Sequence, residues 1–310
     1  MNITYFEPFS RAWSRMKIAL FKPFDLHKWL IIGFNAFLAG LIGGPRSSGS
    51  SGWREDASFR EFLGFPNKAW GWLTDHPGWF IGIVFIGMFV IILVIILIWL
   101  SSRGTFMFLD NVVHDRAEVA KPWNRYRTEG NSLFLWRLVF ILICTVLFTS
   151  YIIFFFITAS NLYKGSYYER VPVVFIVAMA LLFILTAIVI GFISMFLNSF
   201  VAPIMYKSNI KATQAWGSFL SLFKRYPFHF ILYGLLVFVL GILAVIFIAV
   251  AGLLTCCVGF LLLIIPYIGT VITLPIWYTF RAFSLEFLAQ FGPEYELFPP
   301  SGESSASVPA

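Results

Sequence analysis

Residues 78–102 read GWFIGIVFIGMFVIILVIILIWLSS, and residues 103–137 continue RGTFMFLDNVVHDRAEVAKPWNRYRTEGNSLFLWR. The first stretch carries no charge from Trp79 to Ser102. At 1.5 Å per residue a helix of that length crosses a hydrocarbon core of roughly 30 Å. The second stretch packs ten of the chain's 37 formally charged side chains into 35 residues before another apolar run begins. A lipid-crossing helix followed by a hydrophilic hinge decides the class: an all-α integral membrane protein.

Composition agrees. Of 310 residues 59% are hydrophobic, 19% aromatic and only 12% charged, against roughly 25% charged in soluble domains. The net charge of +7 does not point to nucleic acid. Binders of nucleic acid gather basic residues on one water-exposed face, whereas here they sit at the ends of apolar runs, where headgroups and topology account for them. Cys144, Cys256 and Cys257 lie in apolar surroundings and form neither a metal-ligand set nor a disulfide framework. The vicinal Cys256-Cys257 reads as small apolar filler, with a redox or metal role as the alternative. No cleavable signal pattern precedes the first apolar run near Trp29.

Outward from the hinge, one membrane domain is expected over 1–298, with six spans at about 29–44, 78–101, 135–159, 171–201, 229–251 and 258–280. The tail 299–310, rich in Pro, Ser and Ala, is expected to be disordered. Before the first span, Phe9, Trp13, Met16 and Leu20 fall at helical spacing with Arg11, Arg15 and Lys22 on the other side, the pattern of a basic amphipathic helix in the headgroup plane. Pro23 ends that helix, and Asp25 is placed to cap the next. The run 29–44 is short for a full crossing. The stretch 45–77 begins with a Gly- and Ser-rich tip at 47–52 and continues with aromatics that suit the membrane interface. With the N-terminus inside, 16 of the 22 Lys and Arg lie on inner segments, so both termini are expected to be cytoplasmic.

Pairing the spans gives three units, each opened by a small residue or proline before tryptophan: Ala12-Trp13, Pro122-Trp123 and Ala215-Trp216. Arg103 and Arg281 close two of them, each followed by Phe-Leu, at Phe108-Leu109 and Phe287-Leu288. Repeats of two helices plus an interfacial helix build transporters and other bundles. The simpler account is that any six-span protein carries Trp and basic residues at its inner interface.

The run from Arg103 through Asp110-Asn111-Val112-Val113-His114 to Pro122-Trp123, the segment Pro203-Ile204-Met205-Tyr206 and the ending Gln290-Phe291-Gly292-Pro293-Glu294-Tyr295 resemble an uncharacterised family of bacterial six-span membrane proteins. That family is distantly similar to the membrane domain fused to some glycerophosphodiester phosphodiesterases. The resemblance covers nearly the whole chain and implies a bacterial inner-membrane location and a six-helix bundle, without an activity. The hydrolase itself would need a His-Arg-Gly motif, and none of His27, His76, His114 or His229 is followed by Arg-Gly.

Few residues suggest chemistry. Asp110, His114 and Glu118 at i, i+4 and i+8 share a helical face that could offer metal ligands, or simply be a solvated face with i to i+4 pairs. Arg103 and Arg281 can pair with lipid phosphate or a carboxylate, or can be snorkelling anchors. Pro266 and Pro275 are expected to kink the last span, and Gly40/Gly44 and Gly78/Gly82 to let helices approach closely. Spans two to six carry no ionisable residue at depth, which weighs against ion-coupled transport. The expected role is non-enzymatic, a scaffold or lipid-interacting component whose interface residues are Arg11, Trp13, Arg15, Arg103, Trp123, Trp216 and Arg281. The alternative is a transporter or channel for an uncharged or lipidic ligand. Expected partners are membrane lipids and an unidentified membrane protein, with no nucleic acid and no cofactor or metal; the sequence does not fix the oligomeric state.

Overall fold

The computed structural model describes residues 3–41, 68–164, 171–255 and 258–298. The Gly- and Ser-rich tip, Cys256 with Cys257, and the tail 299–310 lie outside them. Among the described residues every regular element is helical: α1 Phe6–Phe21, α2 Leu26–Gly40, α3 Pro77–His114, α4 Ala120–Arg125, α5 Arg127–Lys164, α6 Val171–Phe196, α7 Ala202–Ser208, α8 Ala212–Arg225, α9 Pro227–Leu254, α10 Val258–Ile264, α11 Pro266–Ile272 and α12 Leu274–Ala289. A π-helical turn, Leu197–Val201, joins α6 to α7. Four stretches are long and apolar enough to cross a membrane, Pro77–His114, Arg127–Ala159, Val173–Ser208 and Pro227–Leu254, as a multi-pass membrane protein requires.

Local chemistry explains where these helices start and stop. Asp25 caps α2, accepting from the His27 N–H at 2.8 Å. Proline stands at the start of α3 and α9, where its missing N–H leaves nothing unpaired. Gln214 accepts from the Lys211 N–H at 3.2 Å and Ser132 from the Ala212 N–H at 3.0 Å, closing the start of α8.

The helices divide between two units. One comprises residues 44–97 and 137–191. Its apolar side chains point outward: Phe85 is 63% and Phe89 67% exposed, a surface that only a hydrocarbon solvent makes stable. Its contacts are sparse and aromatic, Phe148 with Phe183 at 5.5 Å and Phe155 with Phe175 at 5.9 Å, and the Tyr151 hydroxyl donates to the Met179 carbonyl.

The other unit, residues 1–43, 98–136 and 192–310, has a true interior. Phe200, Phe219, Phe230, Phe283 and Phe287 are fully buried against one another. α1 runs antiparallel to α12, with Phe9 on Phe283 and Tyr5 on Phe287, both at 5.7 Å. α2 lies so close to α3 that a Cβ on Gly104 would meet Leu38 Cβ at 2.5 Å and the Ala39 nitrogen at 2.8 Å. Ser101 fastens the same approach by donating to the Ala39 carbonyl at 2.9 Å.

Several expectations are corrected here. Met16 and Leu20, assigned to the lipid-facing side of α1, are buried and Phe9 is partly buried against the rest of this unit, because α12 supplies the apolar partner that a lone amphipathic helix would find in lipid. Residues 258–280 do not form one kinked helix. The chain is extended at Ile265 and bends again at Thr273, so Pro266 and Pro275 each stand in the first turn of a new helix. Of the expected glycine pairs, Gly78/Gly82 makes no close approach among the described residues. Gly78 and Gly82 meet nothing within 4 Å, Gly40 is at ordinary contact with Trp277, and Gly44 is outside the described residues. Gly33 and Gly104 make the close approaches instead.

Candidate functional site

The polar groups of the larger unit form three clusters. The first gathers around Asp110 on α3. Tyr206, on α7, donates to its Oδ1 at 2.8 Å and Tyr126, after α4, at 3.2 Å, while His114 Nδ1 stands 3.4 Å away. The Tyr206 hydroxyl also reaches His114 Nδ1 at 3.2 Å, and the two tyrosine rings pack at 4.8 Å. A buried carboxylate is thereby satisfied by two hydroxyls and an imidazole. Burial raises the pKa of the Tyr126 phenol, so it acts as a neutral donor.

Glu118 is not part of this cluster. α3 ends at His114, and Asp115 turns the chain through a left-handed backbone conformation, φ 52°. The i+8 position therefore never reaches the helical face. Glu118 pairs with Lys121 at 2.9 Å, and its backbone is held by Asn111, which accepts from its N–H at 3.2 Å and donates to its carbonyl at 3.0 Å. Asn35 of α2 donates to the same carbonyl at 3.2 Å. Among the described residues no three His, Cys, Asp or Glu side chains are grouped to hold a metal.

The second cluster sits on α1 and α12. Glu286, 6% exposed, accepts from Arg15 Nε at 2.6 Å and lies 3.9 Å from Arg11. Arg11 also pairs with Glu7. Arg15 extends over the Phe298 ring at 3.9 Å. The two arginines assigned to headgroups are thus tied to a buried carboxylate, while Trp13 stays 46% exposed.

The third cluster holds cations with only neutral partners. Arg281 donates from Nη1 to the Asn198 carbonyl at 2.6 Å, within the π-helical turn, and its guanidinium lies 5.9 Å from the Phe108 centroid. A π turn shifts the backbone ladder by one residue and so leaves a carbonyl for such a donor. Burial lowers the Arg281 pKa to about 10. Arg103 donates from Nη2 to Asn131 Oδ1 at 3.2 Å and lies 4.7 Å from the centroids of both Trp99 and Trp123. Trp216 stacks on Trp136 at 5.2 Å, its indole nitrogen buried without a partner. The three tryptophans of the expected repeat therefore meet three different surroundings: one exposed, one beside an arginine and one stacked on an indole.

The sequence assigned no site role to Tyr126, Tyr206, Asn35, Asn111, Asn131 or Asn198. The only signal was an asparagine inside an apolar run, which needs a partner once buried. No curated protein and no solved structure matches the chain, so the likeness to phosphodiesterase membrane domains gains no support. A family of unknown function, DUF7544, matches residues 4–288, nearly the whole chain, and the protein belongs to that family.

Proposed function

We propose that the protein is a non-enzymatic, multi-pass component of a bacterial cytoplasmic membrane that works by interaction, as a scaffold or by binding lipid. The observation that carries this reading is the outward rim of α1 and the turn after it. Phe6, Trp13, Phe21, Phe24 and Leu26 are all exposed, beside the exposed Lys17 and Lys22. Aromatic and basic side chains together form the chemistry of a headgroup layer. The Asp110 and Glu286 clusters, by contrast, are engaged in holding helices together.

Two contacts support six crossings with both termini on the side of the hinge. Lys28 Nζ pairs with Asp115 at 2.9 Å, so α2 begins beside the end of α3, a helix about 57 Å long at 1.5 Å per residue. Likewise Phe291 stacks on Phe230 at 4.9 Å, so the chain leaving α9 at Leu254 returns to where α9 begins. Labelling with an impermeant maleimide tests this, after Cys144, Cys256 and Cys257 are replaced by serine. Lys22→Cys and Arg116→Cys should react only from inside and Asp75→Cys only from outside. Reaction of Lys22→Cys and Asp75→Cys from the same side would overturn the six-crossing topology.

The role itself is tested by extracting the protein with its bilayer in polymer-bounded discs and identifying what co-purifies. Enrichment of an anionic lipid over the parent membrane, or a stoichiometric protein partner, is expected. Lipids in parent proportions with no partner would overturn the reading. One observation favours a second reading, a transporter or channel for an uncharged or lipidic ligand: the helix is broken at Ile265 and Thr273, and discontinuous helices of this kind line transport sites.

A further inference from the structure

Cations of the larger unit fall into two sets. Arg11, Arg15, Lys28 and Lys121 face carboxylates, whereas among the described residues Arg103 pairs with none, although its side chain is only 7% exposed. Arg127, of the same sign, acts on it electrostatically. Among the described residues its one hydrogen bond is from Nη2 to the neutral Asn131 amide oxygen; Nε is buried without a partner, and Nη1 makes no bond. A buried charge without a counter-charge is costly, and placing two cations together adds to the cost. An anion from outside the chain would reverse both effects.

The surroundings say which anion. Arg103 follows directly on the charge-free run Trp79–Ser102, so it stands at headgroup depth. Its guanidinium lies against two indoles set edge to face at 5.5 Å, and tryptophan is the side chain that bilayer interfaces favour. Gly130 lets the start of α5 approach, since an added Cβ would come within 3.0 Å of Arg103 Cγ. Arg127, exposed, is near enough to act on it electrostatically. A guanidinium offers paired N–H groups that match a phosphate in geometry.

We propose that Arg103 and Arg127, framed by Trp99 and Trp123, bind the phosphodiester of an anionic phospholipid in the inner headgroup layer. This rests on the lipid-interaction reading above and names its site. The indoles hold Arg103 in place with their ring faces, which leaves Nη1 for the phosphate oxygen, and Arg127 supplies the second positive charge from the exposed side.

The test is native mass spectrometry of the full chain in detergent, titrated with phosphatidylglycerol, with phosphatidylcholine of the same acyl chains, and with glycerol phosphate as a soluble phosphodiester-free control. The wild-type chain should retain phosphatidylglycerol preferentially. Arg127→Gln, an exposed change that leaves the fold intact, should lower that preference about fivefold, the effect of one cation near a membrane surface. Arg103→Lys keeps the charge but loses the planar fork, and should lower it as well, whereas Arg225→Gln, on a different helix, should not. A wild-type preference retained by both Arg127→Gln and Arg103→Lys overturns this site and leaves the broader reading standing. No preference in the wild-type chain overturns both. Glycerol phosphate bound as well as phosphatidylglycerol, with the same dependence on Arg127, overturns the lipid as its source.

Discussion

Phe287 and Phe89 are the same side chain on two helices of one chain, yet one is fully buried and the other is 67% exposed. The difference separates the two units. Around Phe287, in the larger unit, α1, α12 and the start of α9 supply their own apolar partners, so packing in that interior is protein on protein. Around Phe89 the partner is the bilayer. The sharpest way to break this contrast is to truncate both. Phe287→Ala should cost about 3–5 kcal/mol, the range for a buried aromatic leaving a cavity, while Phe89→Ala should stay within about 1 kcal/mol because lipid or detergent refills the space. Reversible unfolding of the full chain in mixed micelles measures both. Equal losses would mean that the outward face of α3 is covered by protein in the working assembly.

Glycines sharpen the same contrast at smaller scale. Gly104 has Leu38 Cβ at 2.5 Å from where its own Cβ would stand, and Gly82 has nothing within 4 Å. Gly104→Ala should therefore destabilise by about 1–3 kcal/mol through overpacking. Gly82→Ala should be neutral or stabilise by up to about 1 kcal/mol through helix propensity. A mild Gly104→Ala would show that α2 moves away from α3 without loss.

Much of this was legible in the sequence, and the rest was not for physical reasons. The charge-free run before Arg103 and the Asp25 cap depend on neighbours along the chain, and both appear where expected. The Asp110–His114 pair is likewise local, four residues apart on one helix. Tyr206, 96 residues away from Asp110, carries no local mark of its role. Glu118 misled because helical spacing assumes a helix, and Asp115 ends it with a left-handed turn that aspartate tolerates but does not announce. The Gly78/Gly82 pair misled for a related reason. A small residue permits close approach, but only a partner helix makes use of it. Periodicity on α1 identified an apolar face without saying that α12, far along the sequence, would cover it.

Arg15 and Arg11 extend the contrast to charge. Arg15→Gln removes the 2.6 Å bond to Glu286 and leaves a buried carboxylate facing Arg11 alone at 3.9 Å. A loss of about 1–3 kcal/mol is expected, the penalty for stripping a buried acceptor of its donor. Lys17→Gln, on the exposed side of the same helix, should change stability by less than about 0.5 kcal/mol. Similar losses would mean that α1 does not discriminate its two faces.

The smallest expected effect on stability is the most informative about the membrane. Trp13 is the one residue of the expected apolar stripe that α12 leaves 46% exposed. Trp13→Phe should leave the unfolding midpoint within the change typical of a surface substitution, about 0.5 kcal/mol. In liposomes made with lipids brominated near the headgroup, it should nevertheless remove a distinct part of the tryptophan quenching, because an indole on the outer side of α1 sits in the interfacial layer that this side chain favours. The exposed rim of α1 would then be the place where an otherwise self-packed unit touches lipid. Unchanged quenching after Trp13→Phe would instead turn that rim toward water or a protein partner, and the contrast between a unit solvated by lipid and one packed on itself would hold for α1 on both its faces.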